Sequence, residues 1–276
     1  NVSTIILNYE KELFEKMNFT QVSTFSYKID FVDDSTKNMY NWNGQVLPFI
    51  QDNGAERGRP TNRKGQSIGT SHRSTFEYSL GKRQKIAFSN LYTFSKTYGN
   101  DPYADRFEIN GESIDPNSIE TPMHRNILGL QHQGKWLKED RLSSLIFYKN
   151  YMMHLESIDP NWIISNQNDI YNDLITDIPN VTTSNSSHGI GFGLKYKFID
   201  QAYIQTSYEK ATRMPEDYEL LGDFVRIVSN FNLKPERSNN VNLGLGYSLQ
   251  KEQSFQHGVG LNLFYRDQKD LIRLVA

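Results

Sequence analysis

Polar and apolar residues alternate along this chain from one end to the other, and few folds accept a sequence written with period two. Successive side chains of a β-strand point to opposite faces, so strict alternation gives each strand one greasy face and one wet face. From Asn18 to Phe31, one face carries Phe19, Phe25, Tyr27, Ile29 and Phe31, and the other Asn18, Thr20, Thr24, Ser26, Lys28 and Asp30. Further along, Ile190, Phe192, Leu194, Tyr196 and Phe198 alternate with Gly189, Gly191, Gly193, Lys195 and Lys197. The pattern returns with Val241, Leu243, Leu245 and Tyr247, and again with Val259, Leu261, Leu263 and Tyr265. In a soluble sheet the greasy face is a core. Here the wet face is built from Gly, Ser, Thr, Asn, Gln and Lys, as a water-filled lumen requires. Several strands also end in Tyr or Phe, where an interfacial girdle sits.

The spacing of these runs points the same way. Strands are expected near 1–10, 17–31, 68–80, 84–97, 122–137, 141–155, 187–198, 201–213, 237–250 and 254–268. The links between them alternate in length. Short ones lie near 81–83, 138–140, 200 and 251–253, and long ones span roughly 32–67, 98–121, 156–186 and 214–236. Structureless links that long are uncommon in compact soluble domains, whereas outer-membrane barrels pair tight turns at one end with long loops at the other. Most runs reach the ~9–11 residues that a tilted membrane strand needs. The expected fold is therefore all-β: an antiparallel up-and-down transmembrane β-barrel segment of about ten strands, with 1–276 forming part of one outer-membrane barrel domain. The patch from Thr182 to Ser187 is expected in a polar loop.

Composition removes several alternatives. A net charge of −2 over 276 residues calls for no nucleic-acid partner. The absence of cysteine excludes a disulfide scaffold and a Cys-ligated metal site. Mean hydropathy is −0.64, and no run approaches the ~18 apolar residues of a membrane helix. A barrel survives that test, because only every second wall residue must be apolar. The chain opens Asn1-Val2-Ser3, without a basic and apolar leader, and reads as a mature or excised piece.

Residues 209–247 carry three linked elements: Arg213-Met214-Pro215, then Glu219-Leu220, then Asn232-Leu233-Lys234-Pro235-Glu236-Arg237-Ser238. In order and spacing this segment resembles the late-barrel signature of TonB-dependent outer-membrane receptors. That family has an aromatic residue and Ala where Thr212 and Met214 stand, and Pro in place of Phe231. Later, Tyr265-Arg266-Asp267 and Asp270-Leu271-Ile272 also resemble its strand ends. The resemblance implies a plug domain inside a larger barrel of about 22 strands, with the plug absent from this stretch. It further implies energy from a TonB–ExbB–ExbD complex and import of a small, scarce nutrient such as a ferric siderophore, a cobalamin or a glycan. Arg213, Pro215, Glu219, Leu220, Leu233, Pro235, Glu236 and Ser238 are the residues matching the motif. On physical grounds, Pro235 suits a strand mouth because it lacks an amide donor. Arg213 and Glu236 are placed to pair across adjacent strands near the rim, as a structural pair rather than a ligand site.

Two long links hold candidate cargo contacts. One is basic, with Arg57, Arg59, Arg63 and Lys64, suited to an anionic chelate or to lipopolysaccharide phosphate. The other holds Tyr98 and Tyr103 among Asp101, Asp105, Glu108, Glu112, Asp115 and Glu120, and suits stacking on a sugar or an ordinary solvated acidic loop. No catalytic motif appears. His72, His124, His132, His154, His188 and His257 lack ligand spacing, so neither metal site nor cofactor is expected. The 214–236 link holds no His, which slightly disfavours haem as cargo. Two alternatives remain open. One is a ten-strand protease resembling the omptins, using Asp101, Asp105 and His188; the other is a soluble β-sandwich adhesion module.

Overall fold

The computed structural model describes residues 2–34, 39–40, 46–47, 50–52, 55–57, 61–100, 107–109, 112–114, 119–159, 162–163, 166, 169, 178–221, 230–250 and 256–273. Side chains are described for these residues outside 32–63, 100, 107–114, 218, 249–250 and 256. Ten long strands form one antiparallel sheet: β1 (Val2–Phe14), β2 (Met17–Asp34), β3 (Thr61–Ser79), β4 (Gln84–Asn100), β5 (Thr121–Trp136), β6 (Leu142–Ile158), β7 (Asn180–Ile199), β8 (Ala202–Arg213), β9 (Glu236–Gln250) and β10 (Gln256–Lys269). They lie side by side in chain order, and β1 and β10 do not pair with each other, so the sheet is open.

The two ends of the wall differ. Tight turns at 15–16, 80–83, 137–141 and 200–201 gather at one end, and the long connections leave from the other. At the 80–83 turn, Gly81 takes φ 107°, a backbone region that L side chains rarely enter. The first two long connections carry short hairpins of their own: Met39–Tyr40 with Val46–Leu47, Ile50–Asp52 with Ala55–Arg57, and Phe107–Ile109 with Glu112–Ile114.

Register separates the faces. One row on the greasy side runs Phe19, Phe76, Phe88, Leu130, Tyr148, Ile190, each directly opposite the next. This face is bare: Phe88 is 45% exposed, Ile190 48% and Leu245 46%. Among the described residues no second layer packs on it, whereas a sandwich would bury it against another sheet. On the wet face Gly189 and Gly191 are buried. The glycines there make room for aromatic rings lying along the wall. A Cβ at Gly191 would collide with the ring of Phe147, and one at Gly246 with that of Tyr203. Near the tight turns this face lines a cavity of about 700 Å³, with Lys85, Gln133, Lys135, Lys195, Gln205 and Asn242 on its walls. Lys195 Nζ lies 3.9 Å from the centroid of the Tyr203 ring.

Two expectations need correction. The patch Thr182 to Ser187 is strand, paired with β6 from Glu156 to Tyr151. Likewise β3 starts at Thr61 and β4 runs on to Asn100, so Arg63, Lys64 and Tyr98 lie in strands rather than in loops. At this end of the wall polar residues stand on both faces of β7, with Thr183 and Ser187 buried on the inward one. Alternation therefore fades while the hydrogen-bond ladder continues, and the strand loses its sequence signature before it ends.

Candidate functional site

The described parts of the last long connection, 214–221 and 230–235, fold back over the wet face. Local order there starts with Pro215, which closes β8, and with the short helix α1 (Asp217–Leu221). Glu216 N donates to Glu219 Oε2 at 2.7 Å, capping the first turn. Arg213 ends β8 directly opposite Glu236, the first residue of β9. Its guanidinium then reaches two carboxylates at once. Nε donates to Glu236 Oε2 and Nη2 to Glu236 Oε1, both at 2.8 Å. Nη1 and Nη2 donate to the two Glu219 oxygens at 2.9 and 3.0 Å. The acids are well covered, with side-chain exposures of 9% for Glu219 and 13% for Glu236, while Arg213 is 40% exposed. The Ile272 amide, beyond β10, completes Glu236 at 2.8 Å.

Packing holds the same connection. Leu220 is fully buried, and with Met214, Leu221 and Phe231 it meets Met123, Tyr151, Met153 and Leu155 of β5 and β6. Leu233 packs against this cluster, and Pro215 and Pro235 are buried beside the strand ends. Thr183 Oγ1 donates to the Phe231 carbonyl at 2.9 Å, and Asn185 Nδ2 to that of Leu233 at 3.3 Å. Ser238 accepts from Asn240 Nδ2 at 3.2 Å, one step into β9.

A second anchor was not anticipated from sequence. Arg125 on β5 donates to Asp217 Oδ1 at 2.7 Å, to the Pro215 carbonyl at 2.9 Å and to Glu216 Oε2 at 3.2 Å. Ser95 Oγ on β4 donates to Asp217 Oδ2 at 2.6 Å. The connection thus leaves β8 and is tied down four strands away. A signal for it exists in Tyr151-Met152-Met153. Three apolar residues in a row break the alternation: Tyr151 and Met153 are buried beneath the connection, while Met152 lies on the outward face, 37% exposed. Nothing local marks Arg125, whose partners are about 90 residues distant in sequence.

The cargo candidates scatter. Lys64 is exposed. By register it shares the greasy side with Phe31, directly opposite it. Tyr98 is on that side too, its hydroxyl donating to Gln66 Oε1 at 2.5 Å. Neither faces the lumen. Arg57 and Arg63 lie in strands, but their side chains are outside the described residues, as are Arg59 and Tyr103 altogether. His188, one of the three residues considered for a protease, also faces outward, against the Tyr148 hydroxyl at 2.8 Å. Asp101 and Asp105 lie outside the described residues. Among the described residues no group of three or more His, Asp or Glu is placed to hold a metal ion.

The family model described as "TonB dependent receptor-like, beta-barrel" matches residues 4–276. The chain belongs to this family. Solved TonB-dependent receptors share the fold of its wall. The copper transporter OprC matches with TM-score 0.62 at 11% identity, over 96% of this chain and 38% of that one. The FrpB iron transporter from Neisseria meningitidis (F5-1 variant) matches with TM-score 0.62 at 14% identity, over 98% and 36%. The ferric yersiniabactin uptake receptor FyuA from Yersinia pestis matches with TM-score 0.57 at 10% identity, over 98% and 36%. The chain therefore spans under two-fifths of the length of these receptors. No curated protein matches it. Within a TonB-dependent receptor barrel, the three motif elements come together on one side of the wall, where Arg213 clamps the 214–235 connection between β8 and β9.

Proposed function

We propose that the intact protein sits in the bacterial outer membrane and imports a scarce nutrient under TonB–ExbB–ExbD drive. The single observation that carries this reading is the family match over residues 4–276. The cargo class it favours is a metal chelate, a ferric siderophore foremost, with cobalamin or a glycan behind it. Copper, iron and ferric yersiniabactin are what the names of the structural neighbours print. No covalent chemistry is assigned to the wall: its work is to bind, orient and admit. Cargo contacts are assigned to the long-connection end, where the links holding Arg57, Arg59 and Tyr103 leave the strands and where Arg63 stands near the start of β3. Lys64, Lys210 and Arg237 are exposed near that same end, and they are assigned to lipopolysaccharide phosphate.

The test is uptake by the parent bacterium under iron limitation, with labelled ferric siderophores, cobalamin and glycans offered in turn. One of them is expected to accumulate, and accumulation is expected to cease when tonB is deleted. Uptake that persists without TonB contradicts energy coupling. Peptide cleavage by the purified protein would instead support the omptin-like alternative.

A further inference from the structure

The cavity near the tight turns lies at the opposite end of the wet face from the 214–235 connection. Five cations line it: Lys82, Arg83, Lys85, Lys135 and Lys195. Among the described residues no carboxylate does. Two acids stand behind the cations. Glu77 pairs with Lys85 at 2.5 Å, and Asp140 lies 3.2 Å from Arg83 and 3.6 Å from Lys135. Cations thus outnumber acids five to two around this space, in a chain whose net charge is −2. Lys195 has no carboxylate partner among the described residues, and its ammonium is held over the Tyr203 ring.

Register gathers these groups. One row crosses six strands as Lys135, Ser143, Lys195, Gln205, Gly244 and Asn262, each directly opposite the next. Lys135 and Lys195 are two strands apart, about 10 Å along the wall, so both can reach one small molecule. The amides of Gln133, Gln205 and Asn262 line the cavity and hydrogen-bond to no described group. Gly244 lets two of them converge. A Cβ there would stand 2.7 Å from Asn262 Oδ1 and 2.9 Å from Gln205 Nε2, so these side chains close over bare backbone. Ammonium groups offer donors only, whereas amides offer both donors and acceptors. A cavity of this size is in the range that takes a small molecule.

We infer that this cavity binds a small oxygen-rich anion. Its carboxylate or phosphate oxygens accept from Lys135 and Lys195, and its hydroxyl or carbonyl groups meet the amides of Gln133, Gln205 and Asn262. Lysine is a point charge without a fixed fork, so the site selects for negative charge more than for one anion geometry. In outer-membrane barrels the tight turns face the periplasm. The site therefore stands at the exit of the lumen, at the far end from the cargo contacts assigned to the long connections. As a second station for anionic cargo it rests on the transport reading; as a binding site it does not.

Equilibrium dialysis of the intact receptor in detergent tests it, with labelled citrate and inorganic phosphate as probes and a neutral trisaccharide as control. Saturable binding of citrate or phosphate is expected, weakened by added salt and not seen for the trisaccharide. Heat-modifiable migration confirms that each variant is folded. Lys195→Gln is expected to weaken binding about tenfold, and Gln205→Ala about threefold. Lys11→Gln, exposed on the outward face of β1, should leave it unchanged. The site is overturned if the folded wild type binds neither anion saturably, if binding survives both variants, or if the trisaccharide binds as well. A zero-length carbodiimide link from Lys195 to a carboxylate of the intact chain outside this stretch also overturns it, because protein then fills the cavity. None of these readouts needs TonB, so anion binding without uptake would sink the transport reading alone.

Discussion

Arg213 is the residue on which most of the late-barrel motif converges. Two carboxylates with little solvent contact depend on one guanidinium that is itself 40% exposed. Removing the cation leaves both acids covered and unpaired, a change that costs about 3–5 kcal/mol at a fully buried pair. Partial exposure places Arg213→Met at the low end of that range. Arg213→Lys should recover little, because a point ammonium cannot serve two carboxylates with four directed donors. The check is the urea unfolding midpoint of the intact receptor in detergent, with Glu236→Gln alongside. An Arg213→Met midpoint equal to wild type would show that water, not Arg213, satisfies these acids.

At the scale of elements, the 214–235 connection behaves as a part of the wall's interior. Asn230 N donates to the Leu220 carbonyl at 2.8 Å, so that amide reports whether the connection is docked. Leu220→Ala opens a void beneath fully buried contacts, at a cost of about 2–5 kcal/mol. Opening should be local. Hydrogen exchange at Asn230 is expected to speed up markedly, while amides in β3 and β4 keep their protection; equal acceleration in both would mean that the connection and the wall open together. The ten strands themselves were legible because burial on one face enforces period two. Their outer ends were not, as at Thr182 to Ser187, where neither face is greasy. The motif could be read as three elements in order, and the Arg213–Glu236 pairing followed from adjacent strands. The anchor at Arg125 could not, since it depends on how far the connection reaches across the sheet.

On the scale of the whole molecule, the sheet presents one face to the lumen and the other outward, and its open edges are β1 and β10. An open edge cannot persist in hydrocarbon, where each backbone group needs a partner. We propose that the wall works within a closed barrel, a reading supported by its spanning under two-fifths of the solved receptors. Which face meets lipid can be tested with two neighbours on β9. Leu243 is 40% exposed on the outward side, opposite Thr206 and Leu263. Asn242 is on the lumen side and donates to Ser207 Oγ at 3.1 Å. In a bilayer, arginine at Leu243 costs about 2–4 kcal/mol near the midplane. Arginine at Asn242 meets water and costs far less. Leu243→Arg in the intact receptor should sharply lower the yield of heat-modifiable barrel in outer membranes, and Asn242→Arg should leave it near wild type. The reverse ranking would mean that the greasy face is the one turned inward, and the period-two pattern would then describe a core instead of a membrane wall.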